Sequence, residues 1–344
     1  DLKTEILPSL PRPSSAPSLQ TLAASIQRVQ LEAVAGWTSR VLHPEKNMPN
    51  YGSDIAVANN EAGLGLMLDY TIEEKMPLLI NYVQDGIDIE ANLRRGVNFN
   101  GDGGGHGVGR LAPIAFTAKI LDAPEIFTTI ENAGKSGFSE TDSVGTGKDG
   151  RPLWGQPSPW GSVLMYWRNL DLETYYKYGG SLTLPDPHEI IDGGDLPSGG
   201  YQDCCVSQPI KGSALIFDLM NITLNQYTES FVKYADRWVT FGVWAEDTCA
   251  PFDGNWENYG VTFGPDGTTD KDGTPNCVLD KDPSDGIGRF PYLHGTRRDS
   301  GSYRSNFVDD MWRLYRGPVY PDTPTPIDAY PPVISNGNPR RTLL

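Results

Sequence analysis

Apolar residues recur at alternating spacings of three and four along much of this chain, and this periodicity limits the fold more than any other feature. Such spacing places the apolar side chains on one face of an α-helix. The first run comprises Leu19, Leu22, Ile26, Val29, Ala33 and Trp37. Further helices are predicted at about 54–68, 72–93, 108–118, 163–178, 211–220, 227–241 and 302–315. About eight helices and few convincing strands predict a mainly α protein.

Long glycine- and proline-rich stretches separate these helices. The chain contains 38 glycines and 28 prolines, which predict loops at 134–162, 179–200 and 250–290. Sequential helices joined by such loops favour antiparallel hairpins. We expect a single α/α toroid over residues 18–316, preceded by an extended arm (1–17) and followed by a proline-rich tail (317–344). The loop content keeps an α+β fold as the alternative.

Composition excludes several functional classes. The 344 residues carry a net charge of −16, which disfavours general binding to nucleic acid or to anionic membranes. No apolar run reaches the length that a bilayer span needs. Aromatic residues make up 10% of the chain, which supplies enough apolar surface for a packed core.

Four cysteines bear on the compartment. A bridge between Cys249 and Cys277 would close a loop, as in a secreted enzyme, whereas four buried thiols are the equal alternative. The first residue, Asp1, follows no signal-like segment, which is typical of a processed exported chain and equally of a trimmed one. We expect a secreted or periplasmic protein. Asn221 begins a glycosylation sequon that matters only in a eukaryotic host.

The segment from Asn98 to Arg110 breaks the periodicity with six glycines around one histidine and one arginine. Glycines let the backbone approach a ligand closely. The spacing does not match the phosphate-binding P-loop. We interpret the segment as a substrate loop that presents Asn100, His106 and Arg110, and a flexible connector is the alternative.

A second unusual segment, 289–316, is an island of positive charge. Its six arginines outnumber its three aspartates by three, and it contains no lysine. Arginine forms paired hydrogen bonds with carboxylates, so the island favours an anionic ligand. His294 and Tyr303 in the same segment are proton-transfer residue types. Within the last helix, Arg313 and Arg316 are better explained by ordinary ion pairs.

Metal sites have little support in the sequence. Four histidines without a metal-binding motif argue against a zinc site, and no cofactor is expected. The aspartate-rich stretch 266–285 has the composition of a calcium loop but misses the EF-hand spacing. Acidic turn residues are the commoner explanation, with structural calcium as the alternative.

Several motifs together resemble those of polysaccharide lyase family 38. Asn100 to Arg110 resembles the NGGHGxGR segment of that family, and Tyr201 to Ser207 resembles YRxCCTS. Phe231 to Trp238 resembles FFDYxDRW, and Phe307 to Arg316 resembles FVxxMWxxYR, with an LHG match at 293–295. The sequence departs from the pattern where Leu111 replaces a basic residue and Val206 replaces threonine. The resemblance implies an α/α toroid that cleaves alginate-like or glucuronan-like polyuronates.

A polyuronate lyase removes the C5 proton beside a carboxylate and protonates the departing O4. We expect Tyr303 to transfer the proton, with His294 and His106 as the next candidates. Arg297 and Asn100 would face the carboxylate, and Arg110 and Arg304 would lie along the sugar chain. Candidate sugar platforms are Tyr201, Tyr51 and Trp167. The expected partner is an anionic polysaccharide.

Two other functions stay open. A glycoside hydrolase on the same fold would need two carboxylates, for which Glu61, Asp69 and Asp102 are candidates. A carbohydrate-binding protein without catalytic activity is the third possibility.

Overall fold

The computed structural model describes part of the chain. The described residues are 1–27, 52–97, 99, 105, 107–134, 137–138, 141, 144–146, 152–154, 160–162, 183–185, 202–224, 228–241, 245–246, 262–269, 275–279, 293–294 and 303–317.

The chain divides into two compact units. The first comprises Asp1–Asp142, Cys205–Asp236 and Gly301–Val319, and the second comprises Ser143–Cys204, Arg237–Ser300 and Tyr320–Leu344. Three separate stretches of sequence therefore build the first unit, which includes the glycine-rich segment and Tyr303.

Helices dominate the described part of the chain, as the periodicity predicts. They are α1 (Leu19–Ile26), α2 (Gly52–Gly65), α3 (Ile72–Arg94), α4 (Val108–Ile120), α5 (Pro124–Ala133), α6 (Ser207–Leu219), α7 (Thr228–Phe241) and α8 (Asn306–Tyr315). The mainly α prediction is confirmed. Helix α5 was not predicted, and the helix expected at 163–178 lies outside the described residues. None of the described helices is long and apolar enough to span a membrane.

Local sequence explains where several helices begin. Thr71 accepts a hydrogen bond from the Glu74 amide at 3.2 Å, while the Glu74 carboxylate accepts one from the Thr71 amide at 2.8 Å. This reciprocal capping box fixes the start of α3. Ser18 caps α1 in a similar way, accepting from the Thr21 amide at 3.1 Å. Helix α5 begins at Pro124, whose missing N–H costs nothing in the first turn.

Helix α4 forms the centre of the first unit. Every residue from Val108 to Ile120 is buried except Lys119, and the helix packs against α2, α3, α5 and α6. A helix buried on all sides shows no simple amphipathic stripe. Its polar groups must find partners inside the protein.

The proline inside α4 leaves one backbone carbonyl without its usual hydrogen-bond donor. Pro113 has no N–H to donate to the Gly109 carbonyl, four residues earlier. The side-chain amide of Asn59, on α2, donates to that carbonyl oxygen at 2.9 Å. The Asn59 side chain of α2 thus supplies the hydrogen bond that the Gly109 carbonyl of α4 cannot receive from Pro113.

A second carbonyl is satisfied in the same way. Pro209 lacks the N–H that would reach the Cys205 carbonyl, and the Ser53 hydroxyl of α2 donates to that oxygen at 2.6 Å.

Cys205 is disulfide-bonded. The alternative of four buried thiols therefore does not hold for this cysteine.

Gly86 allows α3 and α4 to approach closely. A Cβ atom at Gly86 would lie 2.1 Å from Thr117 Oγ1 and 2.7 Å from the Pro113 carbonyl oxygen. Gly86→Ala is therefore expected to lower the free energy of unfolding by about 1–2 kcal/mol, because overpacking outweighs the gain in helix propensity. Urea unfolding followed by circular dichroism measures the change. Ile87→Ala, at an exposed neighbour, serves as the control. A Gly86→Ala protein more stable than wild type would contradict this close contact.

The N-terminal segment is joined to the first unit by specific bonds. Leu10 forms a parallel bridge there: its amide donates to Met67 O and its carbonyl accepts from the Asp69 amide, both at 2.9 Å. Further along, the Ser15 hydroxyl donates to the Asp310 carboxylate at 2.6 Å. These contacts attach the segment to the connection between α2 and α3 and to α8.

The described strands correct the loop predictions. They are β1 (Val144–Thr146), β2 (Pro152–Trp154), β3 (Trp160–Ser162), β4 (Thr183–Pro185), β5 (Ala245–Glu246), β6 (Thr262–Thr269), β7 (Pro275–Leu279) and β8 (Leu293–His294). They form four antiparallel pairs: β1–β2, β3–β4, β5–β8 and β6–β7. The ranges 134–162, 179–200 and 250–290 are thus not loops throughout. Short strands rich in glycine and proline carry no clear alternation, which is why the sequence did not reveal them.

Candidate functional site

The N-terminus of α8 is organised by Ser305. Its hydroxyl accepts a hydrogen bond from the Val308 amide at 3.2 Å and donates one to the Glu61 carboxylate of α2 at 2.6 Å. One serine therefore caps its own helix and ties it to a neighbouring helix. Tyr303, which is half-buried, lies two residues before this cap. The chain two residues after Tyr303 is thereby tied to α2.

Three charged side chains lie beside the same cap. Asp309, in the first turn of α8, receives Lys211 of α6 on one carboxylate oxygen and Arg304 on the other. Two cations therefore share one carboxylate. We call Lys211, Asp309 and Arg304 the ion-pair triad. Sequence reasoning identified Arg304 but missed Lys211, whose only signal was a lysine within an apolar helical run.

The glycine-rich segment ends against α2. Gly105 has φ +85°, and a Cβ atom there would lie 2.9 Å from the Ser53 Cα. A Cβ at Gly109 would lie 2.8 Å from the Ala56 Cα. At both positions glycine is needed because the backbone touches the neighbouring helix.

Arg110 follows directly and is completely buried. Its guanidinium lies 5.4 Å from the centre of the Phe99 ring, a cation–π distance. The Phe99 amide in turn donates to the Gly137 carbonyl at 2.8 Å. In the described structure, Arg110 therefore supports the glycine-rich segment from inside the protein, through its contact with Phe99.

A buried acid faces this arginine. Asp85 of α3 is 6% exposed, and burial raises the pKa of its carboxyl to about 7, although the charge of Arg110 lowers it. Tyr82, one turn earlier, is fully buried, and burial together with Asp85 raises the pKa of its hydroxyl well above the ordinary value. The sequence carried a signal for this pair, since Asp85 falls among the apolar positions of α3.

Helix α2 supports both predicted segments. Ser53, near its start, contacts Gly105, and Glu61, eight residues later, binds Ser305. Eight residues correspond to about 12 Å along a helix axis. The base of the glycine-rich segment and the Tyr303 segment are therefore held at different turns of one helix.

The structure describes only part of the predicted site. Tyr303 and Arg304 lie together at the cap of α8, and Arg110 lies at another part of the same unit. His294 belongs to β8 of the second unit, where its backbone pairs with Ala245. The predicted site residues outside the described structure are Asn100, His106, Arg297, Tyr201, Tyr51 and Trp167.

The carboxylates considered for hydrolysis are engaged elsewhere where they are described. Glu61 accepts from Ser305, and Asp69 forms a 2.8 Å ion pair with Arg12, while Asp102 lies outside the described residues. No group of three potential metal ligands occurs among the described residues. The stretch 266–285 is described only in part, within β6 and β7.

Comparisons with protein-family models, with curated proteins and with solved structures found no match. The likeness to polysaccharide lyase family 38 therefore stands on the motifs quoted above.

Proposed function

We propose that the protein is a lyase that cleaves a uronic-acid-containing polysaccharide of the alginate or glucuronan type by β-elimination. The observation that carries this proposal is the ion-pair triad, whose Arg304 directly follows Tyr303 in the chain. A partly exposed arginine therefore stands next in sequence to a proton-transfer residue type, at a capped helix start. The α/α toroid implied by the motif resemblance is part of the same proposal.

In this mechanism Tyr303, deprotonated, takes the C5 proton of the uronate. The C5–H electron pair forms the C4–C5 double bond, the C4–O4 bond breaks, and the proton passes from Tyr303 to the departing O4. Positive groups and hydrogen-bond donors at the substrate carboxylate stabilise the charge that develops in the transition state. Arg297 and Asn100 are assigned to that carboxylate, and Arg304 to a neighbouring sugar.

The location of Arg304 is consistent with substrate binding. Its side chain is 42% exposed, whereas Asp309, which holds it, is 16% exposed. An arginine that is held by an aspartate and partly exposed to solvent can bind a carboxylate without losing its position. In this proposal the buried Arg110, next to Phe99, supports the glycine-rich segment. It acts on substrate only through that segment and does not contact substrate itself.

The test is Tyr303→Phe, assayed on alginate, its homopolymer blocks, glucuronan and ulvan. Wild-type protein is expected to form an unsaturated product that absorbs ultraviolet light, and the variant is expected to lose roughly 100-fold or more of this activity, since proton transfer contributes that much. Tyr315→Phe is the matched control, because Tyr315 lies on α8 and its hydroxyl donates to the Pro11 carbonyl. Circular dichroism checks that both variants fold.

Each outcome separates the functions considered. A fully active Tyr303→Phe protein would refute the role of Tyr303. New reducing ends without a double bond would identify a hydrolase. Polysaccharide binding without new ends would identify a binding protein.

A further inference from the structure

One segment near the start of the chain lies across the first unit and is bonded to it at both ends. The Lys3 amide donates to the Ile120 carbonyl, at the end of α4, at 2.8 Å. At the other end, the Ser15 hydroxyl donates to the Asp310 carboxylate of α8 at 2.6 Å. The middle of the segment forms the parallel bridge to the connection between α2 and α3. We call residues 3–15 the strap.

The strap adds little to the apolar core. None of residues 3–15 is buried, although the strap bonds to the backbone of the fully buried Met67. An ion pair between Arg12 and Asp69, at 2.8 Å, joins side chains that are 49% and 44% exposed, and such pairs contribute little to stability. Local opening needs the least free energy where few apolar groups are buried. The strap is therefore expected to open more readily than the helices that it contacts.

Beside the strap lies a buried lysine. Lys75, near the start of α3, is 2% exposed, and its ammonium donates to the Pro8 carbonyl of the strap at 3.4 Å. Burial lowers the pKa of this ammonium, although the charge of Asp69 raises it. A lowered pKa leaves more of the group as the neutral amine, which is the form that attacks electrophiles. Lys75 thus has the chemistry of a reactive amine but is covered.

We propose that the strap opens locally while the rest of the first unit stays folded, and that this opening exposes Lys75 as an amine that acyl donors can modify. In the closed position the Pro8 carbonyl accepts a hydrogen bond from the ammonium. When the strap opens, water and reagent reach the amine. The inference goes beyond the proposed function and does not depend on it, because it concerns only the contacts of the strap with the first unit.

The test is acetylation of the whole protein with N-hydroxysuccinimidyl acetate, followed at each lysine by peptide mass spectrometry. In wild type, Lys75 is expected to react roughly tenfold or more slowly than the partly exposed Lys119. The lowered pKa of Lys75 would by itself make it react faster, so a slow reaction reports that the amine is covered. Equal rates at the two lysines in wild type would refute the covering.

Ser15→Ala removes the hydrogen bond between the strap and Asp310 without changing any charge. Lys75 is expected to be acetylated roughly tenfold faster in this variant, because a hydrogen bond to a charged group is worth about that factor in an equilibrium constant. Ser14→Ala is the matched control, since Ser14 is the exposed neighbour in the strap. An equal acceleration in Ser14→Ala would contradict a specific role of the Ser15 bond.

Leu10→Pro is a second variant, because proline has no amide to donate to the Met67 carbonyl. It is expected to accelerate Lys75 as well, while Lys119 keeps its rate. Urea unfolding of the same proteins separates local from global opening, and the midpoint of Ser15→Ala is expected to change little. Unchanged Lys75 rates in both variants would overturn the proposal. An acceleration matched by an equal loss of global stability would overturn it too, because unfolding of the whole unit would then expose the amine.

Discussion

Replacing Arg316 with methionine is expected to lower the free energy of unfolding by about 3–5 kcal/mol, because it leaves a buried carboxylate without its cation. Arg316, at the end of α8, donates to both oxygens of Asp236 at 2.9 and 2.7 Å and also binds Asp218. The side chain of Asp236 is 5% exposed and that of Arg316 is 20% exposed. One guanidinium therefore joins α6, α7 and α8.

The same contacts determine how the loss of stability in the methionine variant depends on pH. Burial raises the pKa of Asp236 while the Arg316 hydrogen bond lowers it, so removal of the arginine leaves only the upward shift. In the variant, Asp236 takes up a proton more readily, and protonation removes the cost of burying it as a charged group. The loss of stability is thus expected to be smaller at pH 5 than at pH 8.

Arg313→Met is the control on the same helix. Arg313 is 68% exposed and pairs with Asp310, so its loss is expected to cost less than about 1 kcal/mol. Urea unfolding followed by far-ultraviolet circular dichroism measures both variants. Equal losses for Arg316→Met and Arg313→Met would show that the three-helix junction contributes no more than a surface pair.

Asp85→Asn is expected to remove a large pH dependence of stability. The carboxyl pKa rises from 3.8 to about 7 in the folded protein, so the folded state binds more protons than the unfolded state between these values. Stability from this group is full below pH 3.8 and is lost as the pH rises to about 7. A shift of about three units corresponds to about 4 kcal/mol, of which about 2–3 kcal/mol falls between pH 5 and pH 8.

Wild type is therefore expected to lose about 2–3 kcal/mol relative to Asp85→Asn on going from pH 5 to pH 8. The charged groups that face Asp85 are Arg110 of α4 and Asp88 of its own helix, and Tyr82 lies beside it. Asp88→Asn is the control, since Asp88 is partly exposed and accepts from Gln84 at 2.9 Å. Parallel pH profiles for wild type and Asp85→Asn would contradict a buried, titrating Asp85.

Sequence periodicity located the helices because their cause is local. Apolar residues at helical spacing predicted α2 and α3 to within a few residues of their observed ends. Helix α5 was missed because it is short and lies between a proline and a glycine that read as loop signals. The paired short strands were missed for a related reason: their glycines and prolines are typical of turns and are uncommon in strands.

The residues of the candidate site likewise fall into those that the sequence could identify and those that only packing brings together. Tyr303 and Arg304 could be named from the sequence because a loop rich in arginine, tyrosine and histidine before a helix is unusual by itself. Lys211 and Asp309 could not, because each is an ordinary charged residue within a helix until α6 and α8 are packed. Glu61 was named only as a candidate carboxylate for hydrolysis, and its bond to Ser305 was not foreseen. For Arg316, the sequence predicted an ion pair but could not identify Asp218 and Asp236 as its partners.

What the sequence alone determined is the helical class, the approximate helix positions and the two chemically unusual segments, since these depend on spacing and composition within a few turns. The tertiary structure alone decided which polar groups meet. Asn59 satisfies a carbonyl that Pro113 leaves without its usual donor fifty residues away, and Asp85 is buried against Arg110. Burial and pairing depend on which segments pack together. The free energy of a charge in the protein interior is set by the groups packed around it rather than by its own segment.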